Sequence, residues 1–408
     1  MPTRALLALL LAATLHAQPA AVFSQVDEML AALTKITGWE VKRKVPSEIL
    51  PREKFAKMVE EGVQEAENNK DVRAAELTLK MFGLAPWDFN LARESADLVA
   101  EQAAAFYDFK KKRLFILDST QEGGEQRIAL VHELAHALAD QRYSLKKYME
   151  GADTDDASLA RQSVVEGQAS WLSWAYLSLS ATGRAEVPRA LVDELAGAVG
   201  GNDENFPVFA RVPLYIRESL VFPYSEGMRF QDAVYRDAGP EAFDLLFREP
   251  PRSTQEILHS GTYRSGPAPS EPALPRLEEA VGRKESSQFR KLVEGDVGEF
   301  DYSALLRQYG DEEPAREAAS HWRGGAYGLW EHKKEKYPLL MHASEWDSPE
   351  AAGTFYRLYI DVLRHKWQRL ELASASPTET RGTGDTGDFV VRLQGSFVQV
   401  VEGMHAAE

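Results

Sequence analysis

Two histidines and a glutamate interrupt an otherwise apolar stretch, and this feature constrains the fold more than any other. Residues 129–141 read ALVHELAHALADQ, so that Ala, Leu and Val surround His132, Glu133 and His136. Burial of such polar groups is costly unless partners satisfy them. Residues four apart in a helix lie on one face, one turn apart, so the two imidazoles can reach one metal ion. The H-E-x-x-H pattern is typical of zinc peptidases, although so short a pattern also arises by chance.

A candidate third ligand follows 30 residues after His136. Glu166 stands in the segment SVVEGQAS, inside a predicted helix over 157–180, and its apolar neighbours indicate a poorly solvated position. Two antiparallel helices joined by a loop could bring Glu166 back to the histidines, where a divalent cation would compensate its charge. The alternative is an ordinary helix carboxylate that reaches solvent or an arginine. Three protein ligands leave one position of Zn²⁺ open, as in catalytic sites, and Glu133 is then the candidate general base.

The first residues have the pattern of a secretory signal peptide. Arg4 precedes the apolar run Ala5–Leu15, and Ala17 is a plausible cleavage point, so residues 1–17 are the predicted signal. The alternative is a buried N-terminal helix. No later segment is apolar over the ~20 residues that a membrane span needs, so we expect an exported protein, periplasmic or extracellular, without a transmembrane segment.

Composition narrows the classes of partner. The net charge of −16 is spread over many Asp and Glu residues, which argues against nucleic acid or an anionic membrane as the main partner. The chain has no cysteine, so disulfides are excluded. With 408 residues, of which 44% are hydrophobic, it can bury a core without them.

The pattern along the chain predicts an α+β protein in two parts. Helical periodicity dominates up to about residue 265, and it is interrupted by a strand in WEVKRKV (39–45) and a hairpin in AFYDFKKKRLFILDS (105–119). The Pro/Ser-rich segment 264–276 indicates an exposed connection. Beyond it, the order helix, two strands, helix, two strands predicts a small α+β domain over 290–408. Its aromatic residues favour sheet packing over carbohydrate binding.

The segments HELAH and EGQA together make the chain resemble the gluzincin branch of zinc metallopeptidases. More narrowly, the order AFYD, HELAHALADQ, VVEGQAS, PYSEGMRF and PPRSTQEILH is similar to that of a group of exported bacterial proteins. The resemblance covers about residues 101–263 and is weaker before 101 and after 290. It implies a mainly helical, zincin-like catalytic domain over 18–285, with a small β-sheet and a helical N-terminal part over 18–100.

The resemblance also implies roles for individual residues. Zn²⁺ is bound by His132, His136 and Glu166, and Glu133 is the catalytic base. The strand Leu114–Leu117 forms the upper edge of the cleft, where a substrate can add as an extended strand.

One position departs from the family pattern. Many gluzincins carry an acid four residues after the third ligand, and it orients a ligating histidine; here that position is Ser170. Asp140, one turn beyond His136, could orient an imidazole instead. A solvent contact at the helix end is an equal alternative for Asp140.

A peptidase also needs a donor for the oxyanion of its tetrahedral intermediate. Tyr224, His259 and Tyr263 are candidates, because each lies in a motif that follows the two metal-binding helices. Each is equally consistent with a structural role. Tyr107 is a similar candidate, for which packing beneath the hairpin is the favoured interpretation.

The sequence therefore predicts an exported zinc-dependent endopeptidase with a peptide or protein substrate. One alternative is an envelope-associated binding module with a structural zinc site and no turnover. Another is a zinc amidase that acts on a non-peptide envelope polymer. The presence of Glu133, which metal binding does not require, favours an enzyme.

Overall fold

The architecture is α+β, as predicted. The computed structural model describes residues 25–102, 105–118, 124–199 and 206–405, so the predicted signal peptide at 1–17 lies outside the described residues. Helices dominate the first two thirds of the chain, and a seven-stranded sheet dominates the last third. No helix in the described ranges has the length and apolar character needed to cross a membrane.

Four helices form the N-terminal part: α1 (Val26–Thr37), α2 (Arg52–Asn68), α3 (Lys70–Phe82) and α4 (Leu91–Gln102). Helix α1 buries Met29, Leu30 and Leu33 at helical spacing. Helix α3 ends at Gly83, whose φ of 82° lies in the left-handed region that glycine adopts without strain.

The strand predicted over 39–45 is wrong. Residues 38–46 form no regular strand, and the strand of this region, β1 (Ser47–Leu50), begins only after Pro46. Trp39 and Val45 are buried by tertiary packing, so their apolar side chains in a charged segment do not require a strand. The backbone N–H groups of Lys42 and Arg43 donate to the side chain of Gln141 instead of to a neighbouring strand.

A three-stranded sheet precedes the motif helix. The predicted hairpin is confirmed as β2 (Ala105–Asp108) and β3 (Arg113–Leu117), which pair antiparallel, while β1 pairs parallel with β3. The order β1-β3-β2 places β3 in the centre. The prediction that Leu114–Leu117 forms the upper edge of the cleft is therefore wrong, because both sides of β3 are paired. The edge strand that packs beside the motif helix is β2.

Nine helices, all within the described residues, follow this sheet: α5 (Gly124–Tyr143), α6 (Leu145–Glu150), α7 (Asp155–Thr182), α8 (Arg189–Ala198), α9 (Pro207–Arg211), α10 (Leu214–Ala238), α11 (Glu241–Arg248), α12 (Thr254–Leu258) and α13 (Ser260–Ser265). Helix α7 confirms the helix predicted over 157–180. Its first turn is capped by the Thr154 side chain, which accepts from the N–H of Ala157, and it ends at Gly183.

Helices α7 and α10 cross at two glycines. A Cβ atom on Gly167 would lie 2.1 Å from the carbonyl carbon of Gly227, and one on Gly227 would lie 2.2 Å from the carbonyl oxygen of Ser163. Only residues without a side chain permit this approach of two backbones. Since Gly167 follows Glu166 directly, the crossing fixes the part of α7 that carries the third ligand.

The C-terminal part contains α14 (Leu277–Val281), α15 (Arg283–Ser286), β4 (Phe289–Asp296), α16 (Glu299–Tyr309), α17 (Glu312–Ser320), β5 (Trp322–His332), β6 (Pro338–Trp346), α18 (Pro349–Lys366), β7 (Glu371–Ala375), β8 (Glu379–Gly384), β9 (Gly387–Gln394) and β10 (Phe397–Met404). The sheet order is β4-β5-β6-β10-β9-β8-β7, and every pairing is antiparallel. The two predicted strand pairs, β5–β6 and β9–β10, and the helix between them are confirmed.

The prediction of only four strands in this part is wrong, because β4, β7 and β8 also join the sheet. Strand β7 reads ELASA and is exposed throughout, and β8 reads ETRGTG. Exposed polar residues and glycine are weak strand signals, so pairing with neighbours determines these two strands.

The C-terminal part is joined to the end of α3. Lys366 donates to the carbonyl of Met81, and Gln308 and Tyr309 both donate to the carbonyl of Gly83. These donors satisfy carbonyls that a helix end leaves open. One hydrophobic core runs across the boundary predicted between 285 and 290.

We predict that Gly167→Ala destabilises the protein by about 1–3 kcal/mol, because the added methyl group meets backbone that has no room to move. Gly197→Ala in α8 is the matched control, since its Cβ would meet only the end of the Arg229 side chain, 4.0 Å away. Urea unfolding of both variants measures the difference. Equal unfolding midpoints would show that the helices separate at no cost.

Candidate metal centre

Three side chains from two helices converge on one point. His132 and His136 lie on α5, and Glu166 lies on α7. The Nε2 atoms of the two histidines are 3.0 Å apart, and they lie 3.0 and 3.1 Å from Oε2 of Glu166. All three residues are buried, with 7–8% of their surface exposed. This is the one group of metal-ligating side chains with such geometry among the described residues.

Hydrogen bonds alone do not explain this triangle. An N–H group bonds well only to an acceptor near its own axis, whereas the other two corners of such a triangle lie ~60° apart as seen from the third. A shared proton can therefore join one pair, but a cation attracts the lone pairs of all three atoms. Donors of a tetrahedral zinc ion at ~2.0–2.2 Å are ~3.3–3.6 Å apart, so the observed triangle needs to widen by only a few tenths of an ångström. The donor set fits a divalent metal ion.

The charges of the triangle also suit a cation. Burial would raise the pKa of Glu166, but the neighbouring imidazoles outweigh it and hold this pKa well below its usual range. Burial lowers the pKa of His132, whereas at His136 the charge of Glu166 overcomes burial and raises the pKa. The lowered pKa favours the ionised form of the Glu166 carboxylate, which suits a cation at this position.

Glu133 lies beside the triangle. It is 1% exposed, and burial raises its pKa to about 8. Its Oε2 accepts the backbone N–H of Tyr107 at 2.6 Å, while Oε1 is buried without a hydrogen-bond partner among the described residues. One carboxylate oxygen is thus fixed by β2, and the other has no partner among the described residues.

Asp140 links the motif helix to the hairpin instead of orienting a histidine. Its buried carboxylate accepts from the hydroxyl of Tyr107 at 2.8 Å, from Nζ of Lys112 at 2.7 Å and from the N–H of Leu145 at 3.0 Å. The prediction was that Asp140 holds a ligating imidazole, but none of these bonds joins Asp140 to a histidine. Asp140 holds Tyr107, and Tyr107 holds Glu133.

The structure also places Tyr224 at the metal centre. Helix α10 brings its ring over His132, with 5.8 Å between ring centroids and 22° between ring planes. Tyr224 is buried and packs against His132, a candidate metal ligand.

The hydrogen bonds of His259 and Tyr263 are to residues other than the three candidate ligands. Nε2 of His259 pairs with the Glu299 carboxylate at 2.8 Å, and the hydroxyl of Tyr263 donates to the carbonyl of Glu249. Helix α12, which precedes His259, begins at Thr254, whose hydroxyl donates to Asp156 at the start of α7. Glu166 is ten residues further along α7, or ~15 Å at 1.5 Å per residue. These contacts give both residues structural roles.

Comparison with known proteins covers the C-terminal part alone. A family model described as a domain of unknown function (DUF8575) matches residues 287–408. No curated protein and no solved structure matches the chain. The matched region begins after the last residue of the candidate metal centre, so the evidence for this centre comes from its geometry and not from the family match.

Sequence reasoning named Tyr107 without its contact to Glu133, and it missed Lys112. Tyr107 contributes a backbone N–H, which no side-chain pattern reveals, and Lys112 stands in a turn with a φ of 54°. The available signal was the position of the hairpin, directly before the motif helix.

We predict that the purified protein binds one Zn²⁺ or Co²⁺ ion and that Glu166→Gln weakens binding by more than the ~10–100-fold typical for loss of an outer partner. Glu133→Gln should retain the metal, because Glu133 is not a corner of the triangle. Competition with a chromophoric chelator gives both affinities. Equal affinity in wild type and Glu166→Gln would contradict the assigned ligand set.

Proposed function

We propose that this protein is an exported zinc-dependent metallopeptidase of the gluzincin type, acting as an endopeptidase. The observation that carries the proposal is the buried triangle of His132, His136 and Glu166 with a second, partly unpaired carboxylate at its side. A structural zinc site needs closed coordination and no such carboxylate.

The chain's own residues then have distinct tasks. His132, His136 and Glu166 would hold the ion, which when bound supplies a Lewis acid and lowers the pKa of water. Glu133 would take a proton from the attacking water at Oε1 and deliver it to the leaving amine. Its Oε2 stays fixed by the Tyr107 N–H, so the carboxylate does not need to reorient between these two transfers.

The surroundings support the same reaction. The rings and aliphatic residues around the triangle exclude bulk water, which strengthens every electrostatic interaction within it. Tyr224, stacked over His132, is the side chain best placed to donate to an oxyanion. Strand β2 is an edge strand of its sheet, so the backbone groups on its outer edge other than the Tyr107 N–H, which Glu133 accepts, would be available to an extended peptide.

We predict that Glu133→Gln lowers kcat on casein or a peptide library by at least ~10²–10⁴-fold, because the general base is lost while the metal is kept. Chelation should abolish activity, and Zn²⁺ should restore it. Glu186→Gln, at an exposed position, is the matched control. Tight metal binding without turnover on any peptide would favour the binding module, and turnover only on a non-peptide amide would favour the amidase.

We also predict that Tyr107→Phe lowers kcat by about 10-fold with little change in KM or zinc affinity. The variant loses only the hydroxyl bond to Asp140, so Glu133 is held less firmly while the ligands stay in place. Tyr356→Phe removes the hydroxyl bonds to Thr380 and to the Ser376 carbonyl in the C-terminal part, and it controls for the loss of stability, ~1 kcal/mol per hydrogen bond. The same kcat in both variants would assign Tyr107 a packing role only.

A further inference from the structure

An apolar cavity lies between α2, α4 and the end of β2. Its volume is about 370 Å³, within the range of ligand pockets. The walls are almost entirely hydrophobic, formed by Phe55, Val59, Val63, Leu91, Val99 and Phe106. Asp108 and Lys110 line it from the hairpin turn. A charged group deep in such walls would lose its hydration without gaining a partner.

This cavity borders the edge strand of the metal centre. Strand β2 pairs only with β3 among the described strands, so its other edge is unpaired within the three-stranded sheet. The Tyr107 N–H reaches Glu133 and therefore points away from β3. Phe106 and Tyr107, whose side chains leave opposite faces of the strand, both line the cavity. The cavity thus borders the residue whose N–H holds Glu133.

The two faces of β2 lead to different places. The Tyr107 side chain lies on the face towards α5, where its hydroxyl meets Asp140. The Phe106 ring lies on the other face, stacked on Phe115 and tilted against Phe55 of α2. An extended peptide added to this edge would alternate in the same way. Residues facing α5 approach the metal centre, and their neighbours approach the cavity.

We propose that this cavity receives an apolar side chain of an extended peptide substrate, on the residue next to the one that faces the metal centre. The inference rests on the proposed peptidase function and adds the substrate class: peptides with a large hydrophobic residue at that position. Gly62 of α2 supports it, because it lines the cavity and a Cβ there would meet nothing within 4 Å. The open space next to Gly62 is room for the substrate's side chain.

Filling this space tests the proposal. Gly62→Leu extends a side chain from a position where the Cβ meets nothing within 4 Å, and leucine has a higher helix propensity than glycine, so we expect the fold to be retained. Gly261→Leu in α13 is the matched control, since a Cβ there also meets nothing within 4 Å. Peptides that differ only in Phe, Leu or Ala at one position are compared by kcat/KM. The Phe-to-Ala ratio should fall about 10–100-fold in Gly62→Leu and stay at its wild-type value in the control.

Binding provides a second readout that does not depend on turnover. Fluorescein-labelled Phe and Ala peptides are titrated with zinc-loaded Glu133→Gln protein, with and without Gly62→Leu, and anisotropy gives Kd. Loss of the Phe preference in Gly62→Leu supports the cavity assignment even when no peptide is cleaved. Absence of cleavage by the wild-type protein would contradict the peptidase proposal alone. An unchanged preference, or no preference for Phe in the parent protein, overturns the cavity assignment.

Discussion

The candidate metal centre depends on two helices that lie close enough for three donor atoms to surround one point. The ligands of α5 are fixed by a single turn of helix, but Glu166 must arrive from a different element. Its neighbour Gly167 meets Gly227 of α10 backbone to backbone, so α7 has little freedom to slide or rotate. Burial of the Glu166 carboxylate carries a desolvation penalty, and a cation bound between it and the two imidazoles would compensate that penalty.

A second constraint joins the metal helix to the sheet. Asp140, one turn after His136, accepts from Tyr107 and Lys112, and both lie on the hairpin that precedes the helix. The backbone of Tyr107 in turn holds Glu133. The motif helix therefore carries, within nine residues, two of the three candidate ligands, Glu133, and the anchor for the strand whose backbone holds Glu133. Such local organisation allows a hairpin and a helix adjacent in sequence to assemble one site.

What the sequence predicted, and what it did not, follows from the range of each signal. Helical spacing identified His132 and His136, which lie one turn apart on α5. The apolar neighbours of Glu166 within its own helix identified the third residue. The prediction of a strand at 39–45 was wrong, because Trp39 is buried by tertiary packing and not by a place in a sheet. Strands β7 and β8 were missed because pairing, not composition, defines them. The role of Tyr107 rests on a backbone N–H, which carries no residue-specific pattern.

The C-terminal part also bears on the site, although the family match there stops short of it. Lys366 is buried with Glu402 at 2.6 Å and donates to Met81, which ties the C-terminal sheet to the end of α3. A buried ion pair of this kind selects one arrangement, because any other leaves a charge unpaired. Helix α3 begins close to Val72, which lines the apolar cavity beside β2. A single helix of 13 residues thus connects the C-terminal sheet to the apolar cavity beside β2, so the region that matches the family model helps to fix one wall of that cavity.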